Sequence, residues 1–145
     1  MDIDGLGVDS KYHPCTPYGI IRYLEECNFD FDGANAVVIG RSELVGKPLA
    51  KMLLEKNCTV TVCHSHTKGL RYIVNTADLV IVAVGKINFF NCSWAMNAQA
   101  IIDVGINFDE NGKMVGDCFN QWWMEGKVTP VPGGVGLLTR CGLLE

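Results

Sequence analysis

The chain of 145 residues is predicted to form an α/β domain, with a mostly parallel, doubly wound sheet and helices on both of its faces. Two observations support this fold class. Short runs rich in valine and isoleucine alternate with stretches of helical periodicity, as parallel strands and their crossover helices require. Some of these runs stop at a glycine, where a chain can turn sharply. The length suits one domain, since domains commonly hold ~100–200 residues.

Three helices are predicted in the first half of the chain. The first begins at Cys15-Thr16-Pro17, because threonine can cap a helix and proline suits the first helical position. Its apolar positions are Ile20, Ile21 and Leu24. Residues 30–33 are expected to end it. A second helix is predicted over residues 45–56, where Pro48 falls in the tolerant first turn, and a short third helix over Leu70–Asn75.

Five strands are predicted from short β-branched runs. They are residues 36–39, 59–63, 79–84, 100–104 and 128–131. A turn at residues 109–112 is expected to join two extended pieces, because its Asn-Gly pair favours positive φ. A last helix is expected to begin at Val135. This order of elements predicts a Rossmann-like fold with right-handed crossovers.

Composition excludes several classes of function. Twelve basic and 16 acidic side chains give a net charge of −4, which does not favour a nucleic-acid partner. No apolar run approaches the ~20 residues of a membrane span, and the first residues lack the pattern of a signal peptide. Seven cysteines without CxxC spacing favour neither a disulfide framework nor a metal site. We therefore expect a cytoplasmic protein with no membrane partner and no metal.

The segment from Gly40 to Pro48 lies between a predicted strand and a predicted helix. Backbone N–H groups and the helix dipole attract phosphate at such a position. The generic GxGxxG pattern fails here, but Gly40 permits a tight turn, Arg41 offers a forked cation and Ser42 adds a hydroxyl donor. The alternative interpretation is an ordinary strand–helix connection.

The next predicted strand ends in Cys63-His64-Ser65-His66-Thr67-Lys68, about 20 residues further on, where a dinucleotide fold reads the adenosine ribose. NAD sites usually have an acidic residue there, and this segment has none. Ser65, Arg41 and a histidine would form a neutral-to-basic pocket suited to a 2′-phosphate. The segment predicts NADP rather than NAD as cofactor, with His66 interpreted as a solvated loop residue.

Three later segments are also candidates. Gly85-Lys86 and Ile106-Asn107 follow predicted strands, at the edge where open α/β sheets bind ligands. Gly85 would let a cofactor approach the backbone, and Ile106 could pack on a flat ring; the alternative is that all four are simple turn residues. The loop Pro130–Gly136 is rich in proline and glycine, so it is either a ligand-contacting loop or a rigid turn. No side chain is assigned a catalytic role, and the cysteines are interpreted as inert thiols.

Six strings in this order resemble one family. They are VVIGRSELVGKP, TVTVCHSHT, ADLVIVAVGK, IIDVGIN, NGKMVGD and TPVPGGVG. The chain resembles the bifunctional methylenetetrahydrofolate dehydrogenase/methenyltetrahydrofolate cyclohydrolases from Asp2 to about Leu144. Members oxidise 5,10-methylenetetrahydrofolate with NAD(P) and hydrolyse the product to 10-formyltetrahydrofolate.

The resemblance also implies roles for individual residues. Gly40, Arg41 and Ser42 would bind the cofactor phosphates, Ser65 would lie near the adenosine ribose, and Ile106 at the nicotinamide end. Asp4 would hold the pterin ring, and Pro132, Gly133 and Gly134 would line the cleft between cofactor and folate.

The family's first lobe, with its folate-site lysine and tyrosine, has no counterpart in this sequence. We expect residues 1–145 to form the NAD(P)-binding domain alone, with residues 1–16 a remnant of the connection between lobes. The isolated chain is then expected to be weak or inactive, and to meet a tetrahydrofolate derivative only if a folate lobe is supplied. One alternative is a non-enzymatic dinucleotide-binding or interaction module, which could form a homodimer. Another is a complete small oxidoreductase with a different substrate.

Overall fold

The structure is a computed structural model that describes residues 15–120 and 127–130. Its helices are α1 (Cys15–Glu26), α2 (Gly46–Glu55) and α3 (Leu70–Asn75), with a short 3₁₀ turn at Cys92–Ala95. Its strands are β1 (Asn35–Ile39), β2 (Thr59–Cys63), β3 (Leu79–Val82), β4 (Phe90–Asn91), β5 (Ala100–Asp103), β6 (Asn107–Phe108), β7 (Met114–Val115) and β8 (Cys118–Phe119). The α/β fold class is confirmed.

The central sheet has four parallel strands in the order β2–β1–β3–β5. Its carboxyl ends therefore meet along one edge, and the loops that follow β1, β2, β3 and β5 start there. The fifth predicted strand is represented by Val128, which bridges Ile101 in parallel, while Val131 lies outside the described residues.

β1, β3 and β5 bury both faces, so their alternate residues enter two separate cores, whereas β2 is partly exposed. Ala36 and Val38 of β1 pack with the buried faces of α1 and α2. Val37 and Ile39 pack on the other side, with α3 and the 3₁₀ turn. This two-sided burial explains why β1, β3 and β5 are made mostly of continuous apolar residues.

Two predicted ends are wrong by two residues or more, and both have a local cause. α1 ends at Glu26 instead of at residues 30–33, because Asn28 takes a positive φ of 59° and the Phe29 amide donates back to the carbonyl of Leu24. β3 ends at Val82 instead of residue 84, since the amide of Val84 donates to a side-chain carboxylate instead of to a neighbouring strand.

The segment between β3 and residue 120 contains one strand pair that the sequence did not predict and one that it did. β4 pairs with β8 in parallel, which brings residues 90–91 beside residues 118–119. β6 and β7 form the antiparallel pair that the turn at residues 109–112 was expected to join, with Gly112 at a positive φ of 76°. Within the described ranges, no helix is both long and apolar enough to cross a membrane.

Candidate functional site

A cavity of about 290 Å³ opens at the carboxyl edge of the sheet. Its walls include the β1–α2 loop (Gly40, Arg41, Ser42), the start of the β2 loop (His64, Ser65) and the β3 loop (Val84, Lys86). Small-molecule sites usually measure ~300–1,000 Å³, so this space is of the right order for part of a ligand. Open α/β sheets bind ligands at this edge, where the strand order reverses.

Gly40 lies directly after β1 and close to the backbone that follows β3. Its φ is +119°, and a Cβ atom built on it would lie 2.3 Å from the carbonyl oxygen of Ala83. Its own N–H donates to the carbonyl of Cys63, at 2.9 Å. Gly40 is therefore needed for the turn itself, and its amide is already occupied within the sheet.

The four amides that follow Gly40, in contrast, have no hydrogen-bond partner among the described residues. Among residues 15–120 and 127–130, the N–H groups of Arg41 through Leu44 find no hydrogen-bond acceptor in the chain. The Oγ of Ser42 accepts from the amides of Val45 (3.1 Å) and Gly46 (3.3 Å), where α2 begins. Unpaired amides in a loop that leads directly into a ten-residue helix are suited to an anion. The loop thus fits the diphosphate of a dinucleotide.

The charged side chains around this loop also favour a phosphate. Lys47, in the first turn of α2, forms an exposed ion pair with Glu43, in the loop before it. Arg41 is exposed and makes no ion pair within the described part of the chain. Its guanidinium is therefore available to a phosphate group at the cavity mouth.

The loop after β2 is held by its own polar groups. The His64 amide donates to Oγ1 of Thr67 at 2.8 Å, and the Thr67 amide donates to the carbonyl of His64 at 3.0 Å. The Nδ1 atom of His64 accepts from the His66 amide, which assigns the proton of a neutral His64 ring to Nε2. His64 and Ser65 line the cavity, and residues 64–68 include no carboxylate that would repel a 2′-phosphate.

The loop after β3 differs sharply from the β1–α2 loop. The amides of Val84, Gly85 and Lys86 all donate to the carboxylate of Asp117, at 2.9–3.0 Å. Gly85 has a φ of +72° with open space around its Cα, so its positive φ explains the glycine. Val84 and Lys86 line the cavity, whereas Gly85 does not.

Ile106 lies on the loop after β5, and 58% of its surface is exposed. It is not part of the cavity wall formed by Gly40, Arg41, Ser42 and Ser65. The structure therefore brings four of the predicted cofactor residues into one cavity and leaves Gly85 and Ile106 outside that wall. The four predicted substrate residues, Asp4, Pro132, Gly133 and Gly134, lie outside the described residues.

Two buried carboxylates, Asp103 and Asp117, were missed by the sequence analysis. Both are completely buried, and backbone amides surround them. Burial raises the pKa of Asp103, although the amides of Asp117, Cys118 and Gly105 oppose that shift. The strings DVG (residues 103–105) and VGD (residues 115–117) could have indicated them. A glycine close to an Asp leaves room for the carboxylate to pack against the backbone.

The thiol nearest the cavity is that of Cys63, at the end of β2. It is buried, and burial raises the pKa of the thiol above its ordinary value, partly offset by a hydrogen bond with Thr67. A protonated, enclosed thiol is a poor nucleophile. The interpretation of Cys63 as a packing residue is consistent with this environment.

Known proteins match this chain along almost its whole length. A profile of the tetrahydrofolate dehydrogenase/cyclohydrolase NAD(P)-binding domain matches residues 14–145. The bifunctional protein FolD of Clostridium novyi is 46% identical over 155 residues, covering 99% of this chain and 55% of that protein. The chain thus spans about half the length of the curated relatives it matches.

Solved structures agree with this match. The bifunctional FolD methylenetetrahydrofolate dehydrogenase/cyclohydrolase of Campylobacter jejuni superposes with a TM-score of 0.89 at 39% identity, covering 98% of this chain and 55% of that one. The FolD of Trypanosoma brucei, solved with NADP cofactor and inhibitor, superposes with a TM-score of 0.81 at 31% identity, covering 99% and 52%. The resemblance seen in the six strings is confirmed: the chain belongs to the tetrahydrofolate dehydrogenase/cyclohydrolase family and comprises its NAD(P)-binding domain.

Proposed function

We propose that residues 1–145 form a single NADP-binding domain that takes part in the oxidation of 5,10-methylenetetrahydrofolate and the hydrolysis of the methenyl product. The observation that carries the proposal is the run of amides from Arg41 to Leu44, which lie in the loop just before α2 and have no acceptor among the described residues. The relative from Trypanosoma brucei, solved with NADP, supports the choice of cofactor.

The strand order divides the proposed cofactor site into two halves. A dinucleotide lying across the edge of the sheet would pass from β2, over β1, to β3 and β5. The loop after β2, with Ser65, would hold the adenosine ribose. The β1–α2 loop would hold the diphosphate, and Ile106 would lie at the nicotinamide end.

Each residue in this proposal has a physical task. Ser42 keeps the amides of Val45 and Gly46 occupied, so the amides of Arg41 to Leu44 are the ones left to meet the ligand. Arg41 and Ser65 would contact the 2′-phosphate, which distinguishes NADP from NAD. When bound, NADP accepts the hydride that leaves the one-carbon unit of the folate.

Hydride transfer requires the reacting carbons within ~3–3.5 Å of each other, so the folate must be held firmly against the nicotinamide. We propose that Asp4 and the loop with Pro132, Gly133 and Gly134 contribute to the folate side. The hydrolytic step also needs a proton-handling group. The described residues contain no side chain that we assign to it.

Five cysteines within the described residues carry thiols that form no disulfide: Cys27, Cys58, Cys63, Cys92 and Cys118. Unpaired thiols are typical of a reducing compartment, and this supports a cytoplasmic location.

The cofactor proposal is tested by titration calorimetry of the chain with NADP⁺ and NAD⁺. Arg41→Ala is expected to weaken NADP⁺ binding about 10–100-fold, because a charge-assisted hydrogen bond contributes ~1.5–3 kcal/mol, and to change NAD⁺ binding much less. Lys51→Ala, which removes an exposed cation from α2 outside the cavity, is the control and should bind both cofactors normally.

Two results would contradict the proposal. If the wild-type chain binds neither dinucleotide, the site is not a cofactor site. If Arg41→Ala weakens NADP⁺ and NAD⁺ equally, Arg41 does not contact the 2′-phosphate. Turnover of methylenetetrahydrofolate is assayed alongside, and robust turnover by the purified 145-residue chain would overturn the expectation that it needs a separate folate lobe.

A further inference from the structure

The carboxylate of Asp117 is the centre of a hydrogen-bond cluster beside the proposed site. Its Oδ2 accepts from the amides of Val84 and Gly85, at 2.9 and 3.0 Å. Its Oδ1 accepts from the amide of Lys86 and from Nδ2 of Asn107, both at 2.9 Å. One fully buried side chain therefore binds two separate loops, the loop after β3 and the loop after β5.

In this loop the backbone amides bind a side chain of the protein instead of a ligand. Three consecutive amides converge on one anion, as they do in backbone anion sites, but here the anion belongs to the protein. The β3 loop therefore has no amide left in this stretch for a phosphate. Because a buried carboxylate is unfavourable unless its oxygens are satisfied, the four donors and Asp117 hold one another in place.

Asp103 holds the backbone at Asp117 by hydrogen bonds. Its Oδ1 accepts from the amides of Gly105 (3.1 Å) and Asp117 (3.0 Å), and its Oδ2 accepts from the amide of Cys118 (3.1 Å). Asp103 is itself fixed, since its own amide donates to Oγ1 of Thr129 at 2.9 Å. The backbone that carries Asp117 is thus anchored to the end of β5.

Two glycines make room for the two carboxylates in a reciprocal way. A Cβ at Gly105, close to Asp103 in sequence, would lie 2.1 Å from Oδ1 of Asp117. A Cβ at Gly116, next to Asp117, would lie 2.0 Å from Oδ2 of Asp103. Each carboxylate therefore packs on the bare backbone beside the other, and the strings DVG and VGD are parts of one structure.

The strand order locates the effect of this cluster. β3 and β5 lie on the far side of β1 from β2, so their loops flank the nicotinamide half of the proposed dinucleotide site. The loops that hold the adenosine half, with Arg41, Ser42 and Ser65, make no hydrogen bond to Asp117 among the contacts of the described residues.

We propose that Asp117 is a positioning residue that joins the β3 and β5 loops into one preassembled wall for the nicotinamide half of the cofactor. It acts through Val84, Lys86 and the Asn107–Ile106 segment and does not touch the cofactor itself. This inference rests on the proposed NADP-binding function.

The test compares two ligands, NADP⁺ and adenosine 2′,5′-bisphosphate, which is the adenosine half of NADP without the nicotinamide half. Asp117→Asn keeps the size of the side chain but replaces one acceptor oxygen by a donor that faces two N–H groups. It is expected to weaken NADP⁺ binding about tenfold or more and to leave binding of the bisphosphate within about twofold. Calorimetry measures both affinities on the 145-residue chain.

Two further variants complete the design. Asn107→Ala removes only one of the four donors, so it preserves the fold and should weaken NADP⁺ about three- to tenfold with the bisphosphate unchanged. Asp78→Asn is the matched control, because Asp78 accepts one amide, that of Asn35, at the amino edge of the sheet. It should bind both ligands like the wild type.

The outcomes separate the two proposals. Failure of the wild-type chain to bind either ligand contradicts the cofactor function itself. If the wild type binds both ligands and Asp117→Asn weakens both equally, or neither, the positioning role is wrong. If Asp117→Asn does not fold, Asn107→Ala decides: an unchanged ratio of the two affinities overturns the inference.

Discussion

Replacing Gly40 by alanine adds one methyl group at a closely packed point of the proposed cofactor site. The new Cβ would lie 2.3 Å from the carbonyl oxygen and 3.1 Å from the carbonyl carbon of Ala83. Both atoms belong to the backbone directly after β3, so no side-chain rotation can relieve the contact. The β1 and β3 ends must move apart.

The expected magnitude has two parts. A residue with a Cβ at positive φ costs ~1–2 kcal/mol, and the φ of Gly40 is +119°. Overpacking of a closely packed site costs a further ~1–3 kcal/mol. Gly40→Ala should therefore lower the free energy of unfolding by about 2–5 kcal/mol. NADP⁺ binding should weaken as well, because Ala83 and Arg41 both line the cavity.

Gly33→Ala provides the matched control. Gly33 has a φ of +74°, close to the left-handed region that other residues can adopt, and nothing within 4 Å of the position that the added methyl group would occupy, so this variant has a smaller conformational cost and no collision. Urea denaturation of both variants should show Gly40→Ala to be less stable than Gly33→Ala by about 1–3 kcal/mol. Equal losses in the two variants would refute the steric argument, and unchanged NADP⁺ affinity in a folded Gly40→Ala would separate this turn from the site.

Two further predictions concern side chains. Ser42→Ala should destabilise the fold by about 1 kcal/mol, because the amides of Val45 and Gly46 lose their acceptor. Ser42→Asp should keep the stability but lose NADP⁺ affinity, since its negative charge repels phosphate. Retained NADP⁺ affinity in Ser42→Asp would contradict the placement of a phosphate beside Ser42. Burial raises the pKa of Asp103 above its ordinary value of 3.8, so protonated Asp103 is favoured in the folded state and stabilises it. This stabilisation is complete below pH 3.8 and is lost as the pH rises through the folded-state pKa. The stability difference between wild type and Asp103→Asn should therefore shrink from about pH 4 to about pH 7 in urea denaturation, whereas a growing difference would show that the amides outweigh burial.

The regular elements were predictable because their signals are local. β2 and α3 have the predicted bounds, and α2 differs from its prediction by one residue at each end. Predictions were wrong where a single residue decided the outcome. Asn28 ends α1 by adopting a positive φ. The prediction relied instead on the Asp and Gly residues at 30–33, which follow the true end of the helix.

The candidate site was predictable to the same extent. Gly40, Arg41 and Ser42 could be identified because a glycine between a strand and a helix is a short-range pattern with a known use. That Gly85 lies outside the cavity wall could not be foreseen, since the course of its loop depends on Asp117, 32 residues later.

The amino-acid sequence by itself determined the fold class, the family and the phosphate-binding loop, because alternating periodicity and strand–loop–helix order are written in neighbouring residues. Only the tertiary structure decided which amides remain available to a ligand. Those of Arg41 to Leu44 have no acceptor among the described residues, whereas those of Val84 to Lys86 are all taken by Asp117. The physical reason is that a buried carboxylate must be satisfied by donors close in space, and the packing of β3, β5 and β8 determines which donors those are.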